Sequence, residues 1–365
     1  MTVKVGIIGT SWWADAMYLP ALQNSSAEVV ALCGRDQSRL NDMADRWKVP
    51  GRYTDYRAML AHAGLDAVII STTNDLHHPM TLAALERNLH ILCEKPLALN
   101  YTQAQQMAAA AHAKGVKHMV PFTYRYMPLF QYLKKLIEEG YLGTPYHLNL
   151  RYYAGFGRDG QYMWRFDSRY AGMGAVGDIG SHFLYLAQWF YGPVTQICAQ
   201  FGWFTQRPQP APDGVPYTQT EDSGSVLLEF ANGAQGIVTV TTMAYEPSHF
   251  SQSHQVELHG SGGTLYGLMD WDQLQQVRGA QPGEKMHELP IPEAIWNGVR
   301  RDTLHNTYRD VYRTQNSMTR QWIDGIVNNY EVYPNFDDGA SIQRILDAAA
   351  RSQQERRWVR VEDIT

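Results

Sequence analysis

Asp178 and His182 stand four residues apart in GDIGSH (Gly177–His182), at the head of a run whose apolar residues recur as Ile179, Phe183, Leu186 and Phe190. That spacing puts a carboxylate and an imidazole on one face of a helix. Such a pair can move a proton, because histidine titrates near neutrality and a carboxylate beside it orients the ring and stabilises its cation. Each residue also has a plain reading, Asp178 as a helix N-cap and His182 as a residue at the edge of the core. A second charge is placed more oddly. In LCEKPLAL (Leu92–Leu99) an apolar, strand-like run ends in Glu94, Lys95 and Pro96, then turns apolar again. A turn alone would use Gly, Asn or Asp there.

A third stretch, GIIGTSWWA (Gly6–Ala14), joins an apolar run to a helical pattern. A glycine turn at a helix N-terminus offers free N–H groups and a positive dipole end to a pyrophosphate. In the dinucleotide fingerprint GxGxxG/A the slots fall on Gly9, Ser11 and Ala14, with Thr10, Trp12 and Trp13 between them. Serine in the second slot restricts backbone approach but brings a hydroxyl that can bond phosphate. The plain alternative is an ordinary strand-to-helix turn.

An acidic residue for the ribose hydroxyl is expected about 20 residues further on. That slot holds Gly34, followed by Arg35, with Ser38 and Arg39 close behind. Without the carboxylate a 2′-phosphate meets no repulsion, and a guanidinium can grip it with two hydrogen bonds. NADP is therefore preferred to NAD. Asp36 could still take the ribose role, and Arg35 could be a solvated residue at a helix start.

These residues need elements to hold them. In the first third, apolar runs at Val3–Ile8, Val29–Cys33, Ala67–Ser71, His90–Cys93 and Val116–Pro121 alternate with helical patterns at Ala14–Gln23, Gln37–Trp47, His78–Arg87 and Thr102–Lys114. The alternation implies a doubly wound parallel sheet, with right-handed crossovers and helices on both faces. After Phe122 the rhythm changes to a helix at Tyr126–Glu139, a strand at His147–Tyr153 and a helix at Asp178–Tyr191. Strand patterns then follow at Val194–Phe204, Ser223–Phe230, Gln235–Thr242, Gln255–His259 and Thr264–Met269, joined by glycine turns that imply an antiparallel sheet. Helices at Thr303–Asn328 and Ala340–Arg351 and a short strand at Arg357–Val361 close the chain. Two domains are expected, a Rossmann domain over 1–122 and an α/β domain over 123–365, with helix 340–351 free to pack back on the first. The proline-rich stretch Gln206–Thr220 reads as a linker, or as a loop beside a site.

Composition narrows the function classes. With 44% apolar and 18% charged residues the chain is a soluble globular type, and a net charge of -5 leaves no basic excess for nucleic acid or anionic lipid. No apolar run is long enough to cross a bilayer, and VKVGIIGT has no signal-peptide pattern. Cys33, Cys93 and Cys198 lie in apolar runs without a CxxC, which suits reduced thiols and a cytoplasmic setting. A metal site on Asp178 and His182 with His77 or His78 lacks a third ligand fixed by spacing, so no metal is expected.

Taken together, GxxGxxxxA at the start, STTNDLH (Ser71–His77), CEKPLA, YRYMP (Tyr124–Pro128), and WRFD followed by GDIGSH resemble the glucose-fructose oxidoreductase / inositol 2-dehydrogenase / MocA family. The resemblance runs from VKVGIIG to the closing NFDDGASIQRILDAAARSQ. It implies an N-terminal dinucleotide-binding domain and a C-terminal α/β domain on a mostly antiparallel open sheet, whose other face often makes a homodimer or homotetramer. It implies a cis Lys95–Pro96 bond and a catalytic group of Lys95, Asp178 and His182. It also implies cofactor contacts from Thr72, Thr73, Asn74, His77, Glu94, Arg125, Trp164 and Arg165. Where the family often has an aspartate three residues after the histidine, this chain has Tyr185.

The activity implied is transfer of a hydride between NADP or NAD and a secondary alcohol or ketone of a sugar, polyol or related small molecule. Two other classes share the fold: glycosidases that use NAD transiently, and non-catalytic regulators that sense the dinucleotide. Tyr152, Tyr153, Phe156, Tyr162 and Trp164 could stack on a sugar ring or fill a core.

Overall fold

A computed structural model describes residues 2–61, 64–245, 252–271 and 275–365, which divide into two compact units. The first comprises Met1–Phe122 and Arg309–Ser341, the second Thr123–Tyr308 and Ile342–Thr365.

The first unit is built on six strands: β1 Val3–Ile8, β2 Ala27–Cys33, β3 Gly51–Tyr53, β4 Ala67–Ile70, β5 His90–Cys93 and β6 His118–Met119. All five pairings are parallel, in the order β3-β2-β1-β4-β5-β6. This is the doubly wound order, whose reversal between β1 and β4 opens a crevice at the strand carboxyl ends. Helices cover both faces, so the central strands are apolar throughout: Val68, Ile69 and Ile70 are fully buried. The helix Gln37–Trp47 begins where Asp36 accepts the Arg39 N–H, and Tyr101–Lys114 where Asn100 accepts the Gln103 N–H.

Three elements differ most from the sequence pattern. Strand β3 is three residues long, too short to leave a periodic signal. Strand β6 is shorter than Val116–Pro121 because the Val120 N–H leaves the ladder for the Pro334 carbonyl. The helix expected over Thr303–Asn328 is three pieces: Leu304–Arg309, a π-turn Asp310–Thr314, and Ser317–Asn328. Asn316 interrupts it with φ +55°, a left-handed conformation that asparagine tolerates, and its buried amide donates to the Ala21 carbonyl at 2.7 Å.

The second unit holds a nine-stranded sheet: β7 Pro145–Tyr153, β8 Val194–Gly202, β9 Ser223–Phe230, β10 Gln235–Thr241, β11 Ser253–Gly260, β12 Gly263–Asp270, β13 Gln276–Ala280, β14 His287–Glu288 and β15 Val359–Arg360. Its order is β14-β13-β12-β11-β7-β10-β9-β8-β15, antiparallel everywhere except the parallel β7–β10 pair. Strand β9 shows the period-2 pattern of a sheet covered on one face: Gly224, Val226, Leu228 and Phe230 are buried, and the residues between them are not. The helix Ser181–Tyr191 packs on the covered face through the predicted stripe, with Phe183 and Leu186 fully buried and Ile179 and Phe190 nearly so. Strands β13 and β14 were not evident in the sequence. Among the described residues, no helix is long and apolar enough to cross a membrane.

Candidate active site

The first unit gathers its candidate residues at the carboxyl ends of β1, β2, β4 and β5. Gly9 follows β1 with φ +110°, and a side chain there would run into the Ser71 carbonyl. Only glycine suits both demands. The Ser11 hydroxyl lies 2.8 Å from the Ser71 hydroxyl and accepts the Ala14 N–H at 3.0 Å, so it closes the first helical turn. A Cβ on Gly34 would meet the Thr10 side chain, which thus fills the space where an acidic residue would begin. Asp36 is committed to capping the next helix, while Arg35 and Arg39 are exposed. Trp12 is 66% exposed beside the turn, and Trp13 is half-buried.

Beyond β4 and β5 the loops are tied together by one ring. His77 is fully buried, with Nδ1 2.9 Å from the Pro96 carbonyl and Nε2 3.3 Å from the Thr72 carbonyl. Burial holds its pKa down to about 4 against the raising effect of both carbonyls. The neutral ring has one N–H, which the shorter contact assigns to the Pro96 carbonyl beside Lys95, and it packs between that segment and the Thr72–Asn74 loop. The Lys95–Pro96 bond is cis. Glu94 has donors on both oxygens: the Tyr18 hydroxyl on Oε1 at 2.5 Å and the Lys95 N–H on Oε2 at 3.2 Å. Burial, then the Glu94 charge, pushes the Tyr18 hydroxyl well above its ordinary pKa, so it stays a donor.

The second unit brings together Asp178, His182, Arg125, Trp164 and Arg165. Asp178 is not an N-cap; it lies in a π-turn, Val176–Gly180, that leads into the helix Ser181–Tyr191. Arg165 sits in the short 3-10 turn Trp164–Phe166, with its guanidinium over the Trp164 ring and Nε 3.0 Å from Asp178 Oδ2. His182 is 8% exposed and meets the edge of the Tyr124 ring at 5.1 Å between centroids. Arg125 donates to the Tyr185 hydroxyl at 2.5 Å, so the residue in the family's acidic slot still receives a guanidinium.

Behind His182 lies a polar chain that the sequence did not disclose. The Tyr124 hydroxyl donates to Tyr152 at 2.9 Å, Tyr152 donates to Gln252 Oε1 at 3.3 Å, and His254 Nε2 lies 3.1 Å from the Tyr124 hydroxyl. Tyr152 is thus committed to this buried chain, Tyr162 donates to Asp167, and Phe156 packs on Phe166. Glu221, just before β9, is buried with Oε1 accepting the Val176 N–H at 2.9 Å, and burial raises its pKa to about 7. The adjacent carboxylates Glu221-Asp222 were the available signal, because two charges directly before a buried strand need partners.

The buried rings set an acid limit on the fold. His77 and His118 are lowered by burial from 6.5 to about 4, and His254 to about 3. Between pH 6.5 and these values the unfolded chain binds protons that the folded chain refuses, so stability falls as pH drops through this window. Glu221, raised from 4.5 to about 7, works in the opposite direction, one carboxyl against three imidazoles. Urea unfolding should show lower stability at pH 5 than at pH 7, with the loss reduced in His254→Phe; equal stability at both values would refute the assignment.

Residues 3–122 match the family description "Oxidoreductase family, NAD-binding Rossmann fold", and residues 134–361 match "Oxidoreductase family, C-terminal alpha/beta domain", the two parts of Gfo/Idh/MocA. The chain belongs to that family. This Gfo/Idh/MocA member is a nicotinamide-dependent oxidoreductase. Levoglucosan dehydrogenase of Pseudarthrobacter phenanthrenivorans is 27% identical over 350 residues, which cover 89% of this chain and 87% of the relative. D-xylose 1-dehydrogenase (NADP(+)) 2 of Haloferax volcanii is 34% identical over 194 residues, covering 53% and 59%. Among solved structures, levoglucosan dehydrogenase in complex with NADH has a TM-score of 0.88 at 26% identity, over 99% of both chains. The glycine turn at Gly9, held against Ser71 with no room for a side chain, fits the close backbone approach that a dinucleotide pyrophosphate requires.

Proposed function

We propose that this oxidoreductase prefers NADP and oxidises a secondary hydroxyl of a sugar-sized alcohol, with His182 moving the proton, Lys95 stabilising the oxygen and Asp178 orienting the imidazole. The observation that carries the reading is the ion-paired Asp178 in the turn that leads into His182, in a chain similar to levoglucosan and xylose dehydrogenases. A bound nicotinamide supplies the acceptor for the hydride leaving the alcohol carbon. His182 takes the hydroxyl proton in oxidation and returns it to the carbonyl oxygen in reduction. Asp178, held by Arg165, favours the imidazolium that forms. Thr72, Thr73, Asn74 and Glu94 shape the cofactor loops in this reading. Arg125, Trp164 and Arg165 would reach the cofactor from the second unit.

The NADP preference rests on Gly34 packed under Thr10, on Asp36 engaged as a helix cap, and on the exposed Arg35 and Arg39. A spectrophotometric screen over aldoses, anhydrosugars and inositols, run in parallel with NADP+ and NAD+, tests both parts. Reduced cofactor should accumulate with at least one of these alcohols, with kcat/KM for NADP+ about tenfold or more above NAD+, and Arg35→Ala should erase most of that ratio. No reduced cofactor across the panel, or a tenfold preference for NAD+, would overturn the corresponding part.

A further inference from the structure

Asp178 and Arg165 come from different segments, a π-turn and a 3-10 turn, and both segments hang from Thr220 and Glu221, just before β9. Thr220 donates twice toward the arginine side: its N–H to the Phe166 carbonyl at 3.1 Å and its hydroxyl to the Arg165 carbonyl at 3.2 Å. The next residue holds the aspartate side. The Glu221 carbonyl accepts the Ala175 N–H at 3.0 Å, and its carboxylate accepts the Val176 N–H at 2.9 Å. Neither the π-turn nor the helix after it has a side-chain cap of its own. Gly174 lets the two backbones meet, since a Cβ there would strike the Glu221 carbonyl. Asp222 then anchors the same segment from the other side, accepting the Phe204 and Thr205 N–H groups and pairing with the buried Arg207 at 2.5 Å.

A helix start can be capped cheaply by a local Ser, Thr, Asp or Asn. Here a remote, buried carboxyl does it, at the cost of a desolvation that moves its titration to about pH 7. What the remote cap adds is registration: the turn bearing Asp178 cannot shift without breaking its bonds to the segment that also fixes Arg165. We propose that Glu221 is a positioning residue, setting the reach of Asp178 toward the proton-carrying His182. The proposal rests on the Asp178–His182 roles given above.

An opposite charge favours the imidazolium, and a retreat of Asp178 from ~4 to ~6 Å would remove about one pKa unit at an effective dielectric of ~20. The test is a titration of the full-length protein labelled with 13C at histidine Cε1, read by NMR, with the His182 signal identified by its loss in His182→Gln. Asp178→Asn should lower the His182 pKa. Glu221→Ala and Glu221→Asp should lower it in the same direction, by at least about half a unit. Glu221→Gln keeps an acceptor for the Val176 N–H and should restore the wild-type titration. If Asp178→Asn shifts the signal but folded Glu221→Asp leaves it unmoved, the positioning role is wrong while the proton-transfer reading stands. If Asp178→Asn itself has no effect, that reading falls first and this proposal with it. Should Glu221→Ala fail to fold, the Asp and Gln variants still decide the matter.

Discussion

His182→Ala should lower kcat by about 10²–10⁴-fold while the dinucleotide Kd stays within a few-fold. An alcohol holds its proton with a pKa comparable to that of water, near ~15.7, whereas free histidine titrates near ~6.5. The gap of roughly nine units means the proton cannot leave ahead of the hydride; it must transfer as the carbon–hydrogen bond breaks. That demands an acceptor already in place. The structure gives the imidazole a fixed setting, 8% exposed, edge-on to Tyr124 and one turn from an ion-paired carboxylate. Steady-state rates and a titration of cofactor binding on a variant with wild-type circular dichroism check the prediction. Turnover close to wild type on the true substrate would remove His182 from the mechanism.

Lys95→Ala should cost about 10³-fold in kcat, again with little change in cofactor affinity. One positive charge ~4 Å from a developing alkoxide is worth roughly 4 kcal/mol at an effective dielectric of ~20, about three pKa units. This is a third of the gap, so in the proposed mechanism Lys95 assists His182 and cannot replace it. Its support is unusually firm for a loop lysine. The main chain is tied to the Glu94 carboxylate, that carboxylate to the Tyr18 hydroxyl, and the neighbouring Pro96 carbonyl to the buried His77 ring. The same steady-state and binding measurements apply, with added methylammonium as a further check. Partial rescue of kcat by the free amine is expected if only the charge was lost, and a loss of less than about tenfold would be incompatible with an electrostatic role of this size.

Much of this was legible in one dimension. Strands β1, β5 and β9 and the helix Gln37–Trp47 have the bounds that their patterns indicated, because a buried parallel strand is a closed apolar run, a strand covered on one face alternates, and a capped helix advertises its ends. The doubly wound sheet and the largely antiparallel second sheet followed from the rhythm of those patterns. Short elements escaped: β3 and β14, at three and two residues, carry no periodicity, and the π-turn holding Asp178 looks like ordinary helix in sequence.

The residues proposed for the chemistry were nameable from sequence, since Lys95 and the Asp178/His182 spacing are local facts. Their partners were not, because a partner is a matter of distance through space. Tyr18 lies 76 residues from the Glu94 it holds, and Glu221 lies 45 from the helix start it caps. His254, 130 residues from Tyr124, joins it only when β11 pairs with β7 and brings the imidazole under the tyrosine. Local spacing therefore determined which groups could react and which helices and strands would carry them. Tertiary packing alone decided which buried groups face them, because desolvation and hydrogen bonding act over ångströms and are indifferent to position along the chain.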